Sequence, residues 1–334
     1  MLKTLVRCAV TALMLLPFAA FGEPIKLKLA YFSTDQTKIY IFVIKPFVDA
    51  VNGDEQGGII IETYSGGALG KDPGRLQLLR AGVADIAYAA LGPAADQFGD
   101  HAVIELPGLF RDMREATLVA TRLVDSGILQ RYDEFFIVGA FATEPETIHT
   151  RLPVASLDDL RGKKIRANNP IEASALAKLG MSPVVLPLSR TLEAISLGTI
   201  DGAATASGPL IDFGLGRVVT YHYFLRLGPA ALSILMNRQR FESLPKAGQD
   251  VIRKYGGEWL AERFVKGYEL YNAALLEQLK SEPQRKVTFP SQSEIDRAAA
   301  AFKAVRVEWA DTSPHHRQLL NAVETEILKF RSGH

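Results

Sequence analysis

Strand-length apolar runs alternate with helix-patterned segments along most of the chain, and this alternation limits the fold more than any other feature. Residues 26–31 alternate polar and apolar, as a half-buried strand does. Ile39, Phe42, Val43, Phe47, Ala50 and Val51 follow helical spacing, with a kink predicted at Pro46. Residues 58–64 form a β-branched run, 75–81 read as a helix and 85–90 as a buried strand. A β-α-β-α-β order implies a parallel sheet layered with helices, hence the α/β class.

The rhythm then recurs. Asp112 with Glu115 opens a predicted helix to about Val124, and 135–142 is strand-like. Strand 163–167 precedes a helix opened by Asn169-Pro170-Ile171-Glu172 and stopped at Gly180. Strand 183–186, helix 189–197 and strand 199–205 follow. A length of 334 residues accommodates two such units. After strand 231–236, residues 246–280 read as one helix of about 50 Å, long enough to bridge two lobes. Ser291 with Glu294, then Ser313-Pro314, open two closing helices.

The N-terminus reads differently. Lys3 and Arg7 precede an apolar run broken at Pro17, and Ala20 and Gly22 supply the small residues of a cleavage site before Glu23. Residues 1–22 are thus expected to be a cleaved secretory signal that sends the chain to the periplasm. The run is too short to span a bilayer comfortably. The single cysteine, Cys8, lies within it, which excludes an intrachain disulfide, a thiolate zinc cluster or an iron–sulfur site.

Charge and motifs narrow the function. With 38 Lys+Arg against 37 Asp+Glu, no basic excess exists for nucleic acid. G-x-S-x-G, H-E-x-x-H, Walker and G-x-G-x-x-G sequences are absent, so no enzyme activity, metal or cofactor is expected. Ser65-Gly66-Gly67-Ala68-Leu69-Gly70 lacks the lysine–hydroxyl pair of a phosphate loop and reads as a turn. His101, His149, His222, His315, His316 and His334 are scattered, the 315–316 pair reading as solvated.

Arg166 stands at the carboxyl end of a predicted strand, just before the Asn169-capped helix. Open α/β sheets bind ligands beyond the carboxyl ends of their strands, and helix N-termini present free N–H groups there. A guanidinium in that place matches a carboxylate with a two-pronged hydrogen bond, and Asn168 and Asn169 add polar reach. The alternative is a surface arginine paired with an acid.

Several blocks in order resemble the extracytoplasmic solute-receptor subunit of tripartite ATP-independent periplasmic (TRAP) transporters. They are the Ser65–Gly70 loop with Ala81-Gly82-Val83-Ala84-Asp85-Ile86, Leu106-Pro107-Gly108-Leu109-Phe110, Leu157-Asp158-Asp159-Leu160-Arg161-Gly162-Lys163-Lys164-Ile165-Arg166, and Leu197-Gly198-Thr199-Ile200-Asp201-Gly202. The resemblance implies a two-lobed periplasmic binding protein fold with an interlobe cleft and a long bridging helix. Lobe I takes 23–143 and 231–273, and lobe II takes 144–230 and 274–334. The implied function is capture of a small organic acid, a monocarboxylate, with hinge closure and delivery to a membrane permease. The receptor of an ATP-driven importer, which usually breaks its lobes with two or three short strands rather than one long helix at 246–280, a ligand sensor and a secreted α/β hydrolase are the alternatives. Monomer and dimer both remain open.

The resemblance carries the carboxylate grip onto Arg166. Where many relatives have an asparagine, Thr205 stands, followed by Ala206 and Ser207. Where many carry a second arginine, Glu146 stands, which argues against a dicarboxylate. Glu146 therefore faces water or binds a ligand amine or hydroxyl. Gln36, Tyr40 and Leu91 are expected on the rim of the first lobe. A charge-assisted hydrogen bond contributes about 1.5–3 kcal/mol and micromolar affinity needs about 8 kcal/mol, so apolar contact must supply the rest.

Overall fold

The computed structural model describes residues 23–70, 75–94, 97–130 and 132–333; the expected signal, residues 1–22, lies outside them. The strands are β1 (Ile25–Ala30), β2 (Ile59–Tyr64), β3 (Ile86–Ala90), β4 (Phe135–Ala142), β5 (Thr147–Thr150), β6 (Lys164–Ala167), β7 (Ser182–Val185), β8 (Gly202–Thr205), β9 (Tyr221–Tyr223), β10 (Ala231–Asn237) and β11 (Lys286–Thr288). They form two sheets, ordered β2-β1-β3-β10-β4 and β11-β9-β5-β8-β6-β7. In the first sheet β1 runs parallel to β2 and β3, and β10 is antiparallel to β3 and β4. In the second, β6 is parallel to β7 and β8, and β5 is antiparallel to β8 and β9.

The pattern of β1 explains its place. Leu27 and Leu29 are fully buried beneath the Lys45–Gly53 helix with Ile44, Phe47 and Val51, while Lys26 and Lys28 face water. Pro46, which has no N–H to give, lies in a continuous run of helical backbone directly after a π-helical turn at Tyr40–Ile44, so the helix is irregular where the sequence placed a kink. Helices cover both faces of each sheet, so four apolar clusters form, two per sheet. The glycine-rich loop is a turn: Gly66 and Gly67 hold φ of 68° and 74°, and their N–H groups donate to Ser33 O and Tyr31 O.

The chain crosses between the lobes after β4 and again before β10, and the two crossings pair with each other. Glu146 N donates to Gly228 O at 3.0 Å, Leu227 N to Glu146 O at 2.9 Å, and Thr143 N to Ala230 O at 3.0 Å. The two crossings thus form one hydrogen-bonded, two-stranded connection between the sheets.

The segment at 246–280 is not one helix. Lys246–Tyr255 ends at Gly256, and Gly257–Ser281 begins a new helix of 25 residues. Gly256 backs onto the Val138 carbonyl, where a Cβ would lie 2.5 Å from the oxygen. The continuous part, about 37 Å long, still bridges. Leu260, Phe264 and Val265 pack under the first sheet, Leu275 and Leu279 under the second. The closing helices also part company. Gln292–Ala310 packs on the second lobe through Ala298, Phe302 and Val305. Pro314–Arg331 returns to the first through Leu319, Val323 and Ile327, unlike the expectation that grouped all of 274–334 with lobe II.

Candidate functional site: the interlobe cleft

A cleft of ≈ 520 Å³ lies between the lobes. Its lining comes largely from the carboxyl ends of parallel strands: Phe32 beyond β1, Ala90 at the end of β3, Arg166 and Asn168 at β6, Leu186 to Arg190 beyond β7, and Thr205, Ala206 and Gly208 at β8. Tyr31, Tyr88, Phe213, Phe264 and Tyr268 add an aromatic wall. Phe32 of the first lobe stacks on Phe213 of the second at 6.4 Å, and Lys38 N donates to Asp212 Oδ2 at 3.1 Å. The lobes thus touch across the rim.

The polar floor is built around Arg166, which is 1% exposed. Its Nε donates to Leu186 O at 2.9 Å, Nη1 to Ala204 O at 2.9 Å and Nη2 to Asn168 Oδ1 at 2.8 Å. A guanidinium has five N–H groups in a fixed fork. These three bonds leave one N–H on each terminal nitrogen, the pair a carboxylate takes with two prongs.

Three buried glutamates surround that fork. Asn168 N donates to Glu172 Oε2 at 2.6 Å. Glu105 accepts from Ala231 N, at the start of β10, at 3.0 Å and from Asn169 Nδ2 at 2.8 Å, so one carboxyl ties the first lobe to the second. Burial pushes its pKa up to about 8. Glu146 lies 4.0 Å from Arg166 Nη1 through Oε2, an atom with no hydrogen-bond partner among the described residues. Burial foremost, then the neighbouring Glu172 carboxyl, hold Glu146 well above the usual carboxylate range. Glu144 is also raised by burial, while Ser207 N donates to its Oε1 at 2.8 Å.

Of the residues singled out from sequence, Arg166, Asn168, Glu146 and Thr205 line the cleft. Asn169 lies behind it, capping the Pro170–Lys178 helix by accepting from Glu172 N. Ser207 is buried beside Glu144 and contributes its backbone N–H, not a lining side chain. Gln36 is exposed and donates to Asp35; Thr37, one place on, lines the cleft instead. Tyr40 packs its ring against Tyr31, outside the cavity. Leu91 is buried in the core of the first lobe, and its neighbours Ala90 and Pro93 do the lining. At Leu91 the shift reflects strand-end geometry, where adjacent side chains point to opposite faces, whereas Gln36 and Thr37 lie in the turn between β1 and the following helix.

Sequence reasoning missed the aromatic wall, Glu105, Glu144 and Asp212. The strand-end rule applied to Arg166 would have found Phe32 and 186–190 had it been extended to every parallel strand. The histidines are also less scattered than their spacing suggests. His149 Nδ1 lies 2.9 Å from His222 Nδ1 between β5 and β9. His315 bonds Asp100 and His316 stacks on Trp309 at 4.3 Å, so that pair is packed. No cluster able to hold a metal ion occurs among the described residues.

Comparisons with known proteins agree with this architecture. A model of the family described as bacterial extracellular solute-binding protein, family 7, matches residues 29–312, and bears out the resemblance read from the sequence. A solute-binding protein of Verminephrobacter eiseniae is 25% identical over 226 residues, 65% of this chain and 66% of that protein. The match thus spans just under two thirds of that relative's length. A marine metagenome TRAP solute-binding protein specific for aromatic acid ligands superposes with a TM-score of 0.83 at 24% identity, covering 91% of this chain and 99% of that one. A TRAP periplasmic solute-binding protein of Bordetella bronchiseptica, with bound (R)- and (S)-mandelate, gives 0.82 at 19% identity, covering 92% and 100%. These structures establish the two-lobed fold. The family consists of receptors, not enzymes.

Proposed function

This chain belongs to bacterial extracellular solute-binding protein family 7, and from that premise we propose that it is the periplasmic receptor of a TRAP transporter for an aromatic monocarboxylate. The exported protein would bind its ligand in the cleft, close on it about the paired hinge strands, and deliver it to a membrane permease. The carrying observation is the buried Arg166 fork, held by three bonds with two N–H groups left for a carboxylate, at the floor of an aromatic cleft. Asn168 and Thr205 flank that carboxylate, and Asn169 and Ser207 support from behind.

The wall argues for the ligand class. Tyr31, Phe32, Tyr88, Phe213 and Tyr268 offer ring faces and edges rather than the many hydrogen bonds a sugar acid needs. A buried ring contributes through area at about 25 cal/mol per Å², which supplies what Arg166 alone does not. Aromatic-acid and mandelate binders among the structural relatives support this reading.

The test is calorimetric titration of the purified protein with benzoate, phenylacetate, glucuronate and succinate. Micromolar binding of an aromatic acid, with weak or no binding of succinate, is expected. Tight binding of glucuronate or succinate and none of the aromatic acids would overturn the ligand class.

A further inference from the structure

The floor of the cleft is unequal on its two sides, and the inequality bears on the atom of the ligand next to its carboxylate. One side is Arg166, a donor fork. The other is Glu146, a carboxyl 4% exposed that lines the same cavity. Glu146 Oε2 is 4.0 Å from Arg166 Nη1 and has no hydrogen-bond partner, although buried polar atoms are almost always paired. A group left so in the empty site is one that a ligand can satisfy.

From these contacts we infer that the site is built for a 2-hydroxy acid, with Arg166 holding the carboxylate and Glu146 accepting a hydrogen bond from the hydroxyl on the adjacent carbon. The inference rests on the aromatic-acid reading above and adds a second recognition point to it. The spacing admits it. Two ligand atoms, each about 2.8 Å from its partner, can answer protein atoms 4.0 Å apart while standing as close together as a carboxylate oxygen and the hydroxyl on its α-carbon.

The surroundings favour a hydroxyl over a second acid or an ammonium. Glu172, Glu105 and Arg166 are the charged groups acting on Glu146, and two of the three are acidic. A second ligand carboxylate there would add negative charge to a buried acidic cluster. An ammonium would need an ionised partner when buried. Glu146 instead sits beside Glu172 with burial disfavouring its charged form, and a neutral carboxyl oxygen accepts well from a hydroxyl.

The experiment compares mandelate with phenylacetate, which differ by the α-hydroxyl alone, and adds phenylmalonate, which carries a second carboxylate on that carbon. The hydroxyl of mandelate answers Glu146 Oε2, whereas phenylacetate leaves that atom as it is in the empty site. One enantiomer of mandelate is expected to bind roughly tenfold or more tighter than phenylacetate, and phenylmalonate more weakly than either. Glu146→Leu should abolish the preference, the ratio of mandelate to phenylacetate affinity in that variant falling to about one. Glu146→Gln keeps an acceptor oxygen and should keep most of the preference, and thermal unfolding of both variants shows whether they fold. The inference is overturned if phenylacetate or phenylmalonate matches the better mandelate, or if the preference survives Glu146→Leu. Phenylacetate binding without any preference for mandelate defeats this inference and spares the aromatic-acid reading. Binding of none of the three by folded wild-type protein defeats both.

Discussion

The floor and the wall of the cleft are built on opposite principles. The floor is a connected polar network in which Arg166, Asn168, Asn169, Glu105 and Glu172 each have a partner from another element. Such a network sits in one geometry, because every alternative strands a buried polar group. The wall is a set of aromatic rings from β1, β3, the long helix and the second lobe, meeting at centroid distances of 4.8–6.4 Å. Ring contacts tolerate small rearrangement. The floor therefore decides that a carboxylate binds, and the wall decides how large and how apolar its remainder is.

Breaking the floor should cost most. Arg166→Ala removes the fork and leaves Glu105, Glu146 and Glu172 without their buried cation. Loss of at least about a hundredfold in affinity for the preferred aromatic acid is expected by calorimetry, with destabilisation of about 3–5 kcal/mol in denaturant unfolding. Breaking the wall should cost less and depend on the ligand. Phe213→Ala removes the ring that meets Phe32 across the rim and should weaken an aromatic acid about tenfold, consistent with the 0.5–1.5 kcal/mol of an aromatic pair plus lost area. A small acid such as lactate should lose little. Equal losses for both acids would erase the division of labour between floor and wall.

Two smaller effects sharpen the comparison. The Glu105 carboxyl has its folded-state pKa raised from 4.5 to about 8. The folded state then holds a proton that the unfolded state releases, so this group's contribution is fully present below about pH 4.5 and is lost as pH rises toward 8. Glu105→Gln should therefore look progressively better relative to wild type between pH 5 and pH 8 in urea midpoints. A constant difference across that range would show that the brace is already ionised. Asp212→Ala removes the acceptor that Lys38 N uses across the rim and should weaken binding only about threefold, since one hydrogen bond contributes about 0.5–1.5 kcal/mol.

Legibility in the sequence followed the same division. The part of the floor around Arg166 was readable because it lies on local signals: the Asn169-Pro170-Ile171-Glu172 cap fixes where the helix starts, and so fixes Arg166 and Asn168 at the strand end before it, whereas Glu105 reaches the floor from a distant segment and was not. The cap forms as read, with Asn169 Oδ1 accepting from Glu172 N at 2.8 Å. The wall was not readable because its rings come from residues 31, 88, 213 and 268, which no local pattern joins. Gln36 and Leu91 show the same limit. Their segments were placed near the cleft, but which neighbour points inward depends on the turn after β1 for Gln36 and on the end of β3 for Leu91. The three short strands β5, β9 and β11 have three or four residues each, too few to show a period. The break at Gly256 had a signal, the pair Gly256-Gly257, but its cause is the Val138 carbonyl, more than a hundred residues away.

A crystal structure of the protein with benzoate tests the central claim most directly. The account predicts the benzoate carboxylate on Arg166 Nη1 and Nη2 with the ring against the aromatic wall of Tyr88, Phe213 and Tyr268. A carboxylate turned toward the rim with Arg166 left to its protein partners, or no ligand in the cleft at saturating benzoate, would contradict it.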